Sequence, residues 1–309
     1  VSQKYYEWTD SLTPDISDDG KAFYGRDSMS NYFVIGMKQM GVELFDVKDG
    51  EVTIQADKDK VRRLWDNYYV PFVNGYFAGL GKFRSDDVKT GDILAYTGSI
   101  ASSMYFPDQV ITDDGRRDIG YIVMQPPVFE GGERMNVQQG ASMAVTKSDE
   151  QHEYAACEFL KWFTRKENNL RFGCESAYLP VRKDANTIEA LDEVIKENGL
   201  NVSDKAYQCM KSILGNYDDI HFYTTKSFEN GYAARKILDY DLCDKAAEDK
   251  AKVDEMVAGG MSRAEAAAAF TTEEAFEQWY AQWYTKLNET AHGNKYTLLK
   301  RTIGYVKAF

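Results

Sequence analysis

Two groups of residues in this chain can do chemistry, and both are suited to holding a ligand rather than making or breaking bonds. At Thr97-Gly98-Ser99-Ile100-Ala101 a strand is expected to give way to a helix. Such a junction leaves backbone N–H groups and hydroxyls aimed beyond the strand end, where they suit sugar hydroxyls or a carboxylate. The spacing does not satisfy the G-x-S-x-G of a nucleophile elbow, and Ser99 serves equally well as a helix N-cap. The second group is aromatic. With 21 Tyr, 16 Phe and 5 Trp, the chain has many flat rings that can stack on sugar C–H faces, although most rings in any protein belong to the core.

Other chemistries find no footing. The three histidines, His152, His221 and His292, stand in no metal spacing and beside no plausible nucleophile. The cysteines, Cys157, Cys174, Cys209 and Cys243, form no C-x-x-C pair, so no zinc site is expected. Cys157 is expected as a small core residue on a helix face. Asp15-x-Ser17-x-Asp19-Gly20 begins like a calcium loop, but its twelfth position is Arg26, where a bidentate Glu is required. No phosphate loop or dinucleotide fingerprint occurs, and no cofactor or metal is expected. A net charge of -12 and a pI near 4.9 argue against nucleic acid or anionic lipid as partner. No stretch has the apolar length of a membrane span.

The elements that must position these residues follow from periodicity. Tyr5 to Pro14 reads as loop. A helix through Ile35, Met37 and Met40 stops at Gly41, a strand covers Glu51 to Ile54, and a helix from Asp57 carries Val61, Leu64, Trp65 and Tyr68 on one face, ending before Pro71. Lys82 to Gly91 leads into the strand that ends at Thr97. Tyr121 to Met124 reads as a strand ended by Pro126-Pro127, and Val137 to Val145 as a buried strand. Ser148 and Gln151 suggest a capping box for a helix with Tyr154, Cys157, Leu160 and Phe163 on its apolar face. Helices are expected over Thr187 to Glu197, Ser203 to Leu214 and Thr225 to Leu238. A surface helical insertion is expected over Ala246 to Ala269, with a capping box at Ser262 and Glu265. A last helix with Phe276, Trp279, Tyr280, Trp283, Tyr284 and Leu287 has the stripe of a core element. The tail from Thr297 to Phe309 is basic and apolar.

The run QQGASMAVTKS, then EYAACEFLKWFT, then NNLRFGCESAYLPV resembles the extracellular solute-binding proteins of carbohydrate ABC importers, the class that includes maltose-binding protein. The resemblance implies an α/β, periplasmic-binding-protein-like fold of type II, in which two lobes with mixed sheets flanked by helices close on a ligand. It implies that residues 1–136 form the second lobe, 137–215 a partial first lobe with the hinge crossing, and 216–309 a return to the second lobe. The first lobe is then incomplete, and the chain is expected to bind ligand poorly or not at all. Tyr32 and Phe33 match the family's Tyr-Phe pair facing the sugar, the alternative being that both rings pack beneath their helix. Asp27 joins them from the preceding turn, Gly98 and Ser99 from the strand end, and Gln138 and Gln139 from the cleft mouth, where amides can donate and accept at once. Phe228 offers a further ring.

The function so implied is to bind an extracellular carbohydrate and deliver it to a membrane permease of an ABC importer. No catalysis is expected, and the protein is expected as a monomer that is a surface-anchored lipoprotein at full length. A glycan-sensing module without transport is the alternative, and a glycoside-active enzyme with two carboxylates a more distant one.

Overall fold

The computed structural model describes residues 1–113, 115–140 and 142–293. Asp114, Ala141 and the tail from Thr297 lie outside the described residues. In chain order the elements are α1 (Ser2–Asp10), β1 (Tyr24–Arg26), α2 (Met29–Gln39), β2 (Phe45–Lys48), β3 (Glu51–Ile54), α3 (Lys58–Val73), α4 (Arg84–Thr90) and β4 (Ala95–Thr97). A 3-10 helix (Ile100–Tyr105), β5 (Gln109–Thr112), β6 (Gly115–Asp118) and β7 (Met135–Val137) follow. Then come α5 (Glu150–Phe163), α6 (Lys166–Ser176), α7 (Ile188–Asn198), α8 (Asp204–Leu214), β8 (His221–Tyr223), α9 (Gly231–Ala258), α10 (Arg263–Ala268) and α11 (Glu273–Ala291). The fold is α/β with many helices and small sheets: β1 pairs β4 in parallel, while β2 with β3 and β5 with β6 are antiparallel hairpins.

The chain divides into two units, the first comprising 1–97, 128–137 and 223–309, the second 98–127 and 138–222. One break falls after Val137. Residues 98–127, expected with the first segment, instead belong with 138–222. The reason is packing: the 3-10 helix lies on α8, and Ile100 joins the cluster around Leu170, Leu191, Met210 and Leu214. The return at 223 replaces the one expected at 216.

In the first unit α2, α3, α9 and α11 share one core. The α11 stripe buries Phe276, Trp279, Trp283 and Leu287, as its helical spacing predicts. Trp65 stacks on Tyr69 with ring centroids 3.7 Å apart and lies 4.9 Å from Trp279, which stacks on Trp283 at 5.4 Å. Capping fixes the ends. Asp57 accepts from the Lys60 amide at 3.0 Å and begins α3, and Ser262 and Glu265 form the expected box. Gly41, just past α2, has φ +81, a left-handed conformation that stops a helix at little cost in glycine.

Several expectations are corrected. Residues 2–10 are helical rather than loop. Helix α3 continues through Pro71 to Val73, and the Pro71 carbonyl accepts from the Tyr76 amide at 2.8 Å. The α5 cap is Asp149, which accepts from the His152 amide at 3.0 Å, so Ser148 and Gln151 form no capping box. Residues 121–124, 138–140 and 142–145 are not strands, and β7 ends at Val137. Helix α9 is one 28-residue helix from Gly231 to Ala258, so residues 246–258 of the expected insertion are its continuation, and α10 follows as a separate helix. Cys157 is exposed rather than core.

Candidate functional site

The polar groups that converge within the first unit lie at the carboxyl end of the β1–β4 pair. In α/β folds strand ends of this kind are where ligands bind. The parallel register sets Tyr24 opposite Ala95, Gly25 opposite Tyr96 and Arg26 opposite Thr97. Because side chains alternate, Tyr24 and Arg26 share a face, and Tyr24 donates its hydroxyl to Thr97 Oγ1 at 2.6 Å. On the other face glycine is required at position 25, because a Cβ there would meet the Ala78 carbonyl at 2.7 Å and Arg84 Cδ at 2.8 Å.

Arg84 occupies that face, is buried, and is fully engaged. It pairs with Asp87 at 2.7 Å and donates to the Ala78 and Gly81 carbonyls. Its backbone amide donates to Asp27 Oδ1 at 3.1 Å, while Asp27 donates its own amide to the Thr97 carbonyl at 2.9 Å. Asp27 thus ties β1, β4 and α4 together. Burial raises its pKa, against the opposing pull of Arg84.

The chain then turns into α2 through Ser28, whose φ of +52 is left-handed, a conformation that costs a non-glycine residue about 1–3 kcal/mol and clusters at functional sites. The N-terminus of α2 is held from α9: Asp239 accepts from the Ser30 amide at 2.9 Å, and Arg235 donates to Ser30 Oγ at 2.8 Å and to Asn31 Oδ1 at 3.0 Å. A carboxylate at that end also complements the helix dipole.

Arg26 differs from its neighbours. Its guanidinium carbon lies 4.5 Å from the centroid of the Tyr32 ring. Its Nε is buried and has no hydrogen-bond partner among the described residues. The sequence reading passed over Arg26 and stopped at Asp27. The available signal was a cation as the last residue of a strand that opens onto a serine-capped helix.

The sequence-expected residues are distributed otherwise. Phe33 is wholly buried and stacks on Trp283 at 5.4 Å, and Tyr32 is 6% exposed, donating to the Leu64 carbonyl at 2.9 Å. Desolvation raises the Tyr32 pKa strongly. Both rings therefore pack beneath the helix, and the expectation that they stack on a ligand is corrected: α2 must bury this face to close the core with α3 and α11. Phe228 lies before α9 rather than on it and packs 5.2 Å from Phe45. Gly98 and Ser99 are exposed at the start of the second unit's 3-10 helix, and Ser99 makes no side-chain cap bond. Gln138 and Gln139 are exposed in the second unit. Asp27 is the expected residue that belongs to the β1–β4 junction.

Residues 2–201 match the model of the bacterial extracellular solute-binding protein family, more than half of the 309 residues, and the chain belongs to that family. This is the family expected from residues 138–181, and it is one of binding proteins that work outside the cytoplasm. No curated protein sequence matches the chain. The crystal structure of the cyclic alpha-maltosyl-1,6-maltose binding protein from Arthrobacter globiformis is similar, with a TM-score of 0.48 and 16% identity over 92% of this chain. The chain spans 64% of that protein's length.

Proposed function

We propose that this protein binds an extracellular carbohydrate and delivers it to the permease of an ABC importer. The reading rests on membership of the solute-binding family and on the resemblance of residues 138–181 to the carbohydrate-importer class. The single observation that carries it is the β1–β4 junction, where Tyr24, Arg26, Ser28 and Thr97 meet at a strand end that opens into a helix. Hydroxyls and a guanidinium there match the acceptors and donors of a saccharide. The first unit corresponds to the second lobe of the family and the second unit to part of its first lobe. The working protein is a monomer, anchored to the cell surface as a lipoprotein at full length.

A thermal-shift screen of mono- and oligosaccharides tests the function. A ligand that binds the folded chain must raise its melting temperature in proportion to the logarithm of concentration. At least one saccharide is expected to do so, and Thr97→Val is expected to reduce the shift. A panel in which amino acids or peptides raise the melting temperature and saccharides do not would refute the assignment.

A further inference from the structure

We propose that Arg26 is a ligand-binding residue and that the carbohydrate it takes carries a carboxylate. The inference rests on reading the β1–β4 junction as the solute site, and it names the class of sugar bound there. The Arg26 guanidinium carbon lies 4.5 Å from the centroid of the Tyr32 ring. A cation held over a ring uses none of its N–H donors in that contact. Yet Nε is buried without an acceptor.

The surroundings explain why no protein group fills this role. Thr97 Oγ1 receives the Tyr24 hydroxyl, and Asp27 is taken by the amide of Arg84 at 3.1 Å. The other arginines on elements of this core are engaged. Arg62 pairs with Asp66 and Glu273, Arg84 with Asp87, and Arg235 donates to Ser30 and Asn31. Arg263, whose Nε also has no partner, is paired through another nitrogen with Asp254 at 2.8 Å. Arg63, also half-buried on this core, donates to the Glu130 carbonyl at 3.0 Å, so among these arginines Arg26 is the exception in having no hydrogen-bond acceptor or ion pair among the described residues. A buried donor left unmade is costly, and the terminal nitrogens of Arg26 likewise make no hydrogen bond or ion pair among the described residues, which leaves them for a ligand acceptor.

The chemistry of the edge selects the acceptor. A planar guanidinium presents two parallel N–H bonds that a carboxylate accepts together, whereas a single hydroxyl meets one of them. Uronate residues offer such a carboxylate beside ring hydroxyls that the Thr97 and Ser28 side chains can bond. The same sugar as a methyl ester keeps its shape and loses the charge.

Isothermal titration of the full chain with a panel of uronate oligosaccharides, each beside its methyl ester, tests the proposal. At least one acid is expected to bind tenfold or more tightly than its ester. Arg26→Met is expected to abolish that preference and Arg26→Lys, which keeps the charge without the fork, to lose most of it. Without ligand, Arg26→Met is expected to melt at or above the temperature of the parent, because an unpartnered donor is gone. An ester that binds as well as its acid would overturn the inference and leave carbohydrate binding intact. So would an Arg26→Met protein that keeps the acid preference. If no acid of the panel binds while neutral saccharides do, the carboxylate is refuted alone; if neither kind binds, the functional reading falls as well.

Discussion

Helices α11 and α5 pose the same problem in sequence and meet different outcomes. Both are amphipathic and rich in aromatic rings. In the first unit α11 buries Phe276, Trp279, Trp283 and Leu287 against α3 and α9. In the second unit α5 buries none of its residues, and Tyr154, Phe159 and Trp162 are 66%, 50% and 49% exposed. The stripe fixes which face of a helix is apolar, but burial needs a second surface, and the first unit supplies one from four helices. The core of the second unit lies elsewhere, around Leu170, Leu191 and Met210 on α6, α7 and α8.

The largest expected effect separates the two units. Trp283→Ala should cost about 3–5 kcal/mol, the range for deleting a buried aromatic. Trp162→Ala should change stability by about 0.5 kcal/mol or less, as exposed substitutions do. Urea unfolding of both variants measures the contrast, and equal losses would break it. Next comes Gly25→Ala, which forces a methyl onto the Ala78 carbonyl and Arg84. A loss of about 1–3 kcal/mol is expected from such overpacking, together with loss of saccharide binding.

Two carboxylates of the first unit should respond to acid in opposite directions. Asp249 is pushed up by burial but pulled below its ordinary value by Lys245, Lys252 and Tyr69, each 2.7 Å away. Its contribution is therefore present above the unfolded pKa of about 3.8–3.9 and is lost as pH falls through the lower folded value. Asp27 is raised by burial, so its contribution is complete below the unfolded pKa and is lost as pH rises through the folded value. Asp249→Asn should flatten the acid loss of stability and Asp27→Asn should steepen it, as read from denaturant midpoints between pH 3 and pH 7. Identical profiles for both variants would contradict the assignment. The smallest effect belongs to Ser28→Gly, expected to stabilise by up to about 1 kcal/mol by relieving the left-handed backbone. A loss of stability would show that the Ser28 hydroxyl, 3.4 Å from the Asn31 amide, outweighs that strain.

The same comparison shows what the sequence could reveal. Helices whose apolar stripe meets a partner were read with the right residues: Val61, Leu64 and Trp65 are fully buried on α3, and Trp283 and Leu287 on α11. Local chemistry also marked ends correctly at Gly41, Thr187, Gly199 and Ser262, because caps depend on neighbours in sequence. Strands depend on distant partners. Tyr121 to Met124 alternates as a strand should, yet takes no ladder, and Ile122 is 86% exposed. The proposed site was half legible. The strand ending at Thr97 and the turn at Asp27 were placed, but Tyr32 and Phe33 were assigned to a ligand when the closing of the core claims both rings. Arg26 was missed because an unpaired guanidinium is visible only once every carboxylate around it has found another partner.

Hydrogen exchange with and without a saturating saccharide, chosen from the thermal-shift screen, tests the central claim most directly. The account predicts ligand-dependent protection of amides in residues 24–31 and 95–97. Protection that leaves both segments unchanged while the saccharide is bound would contradict it.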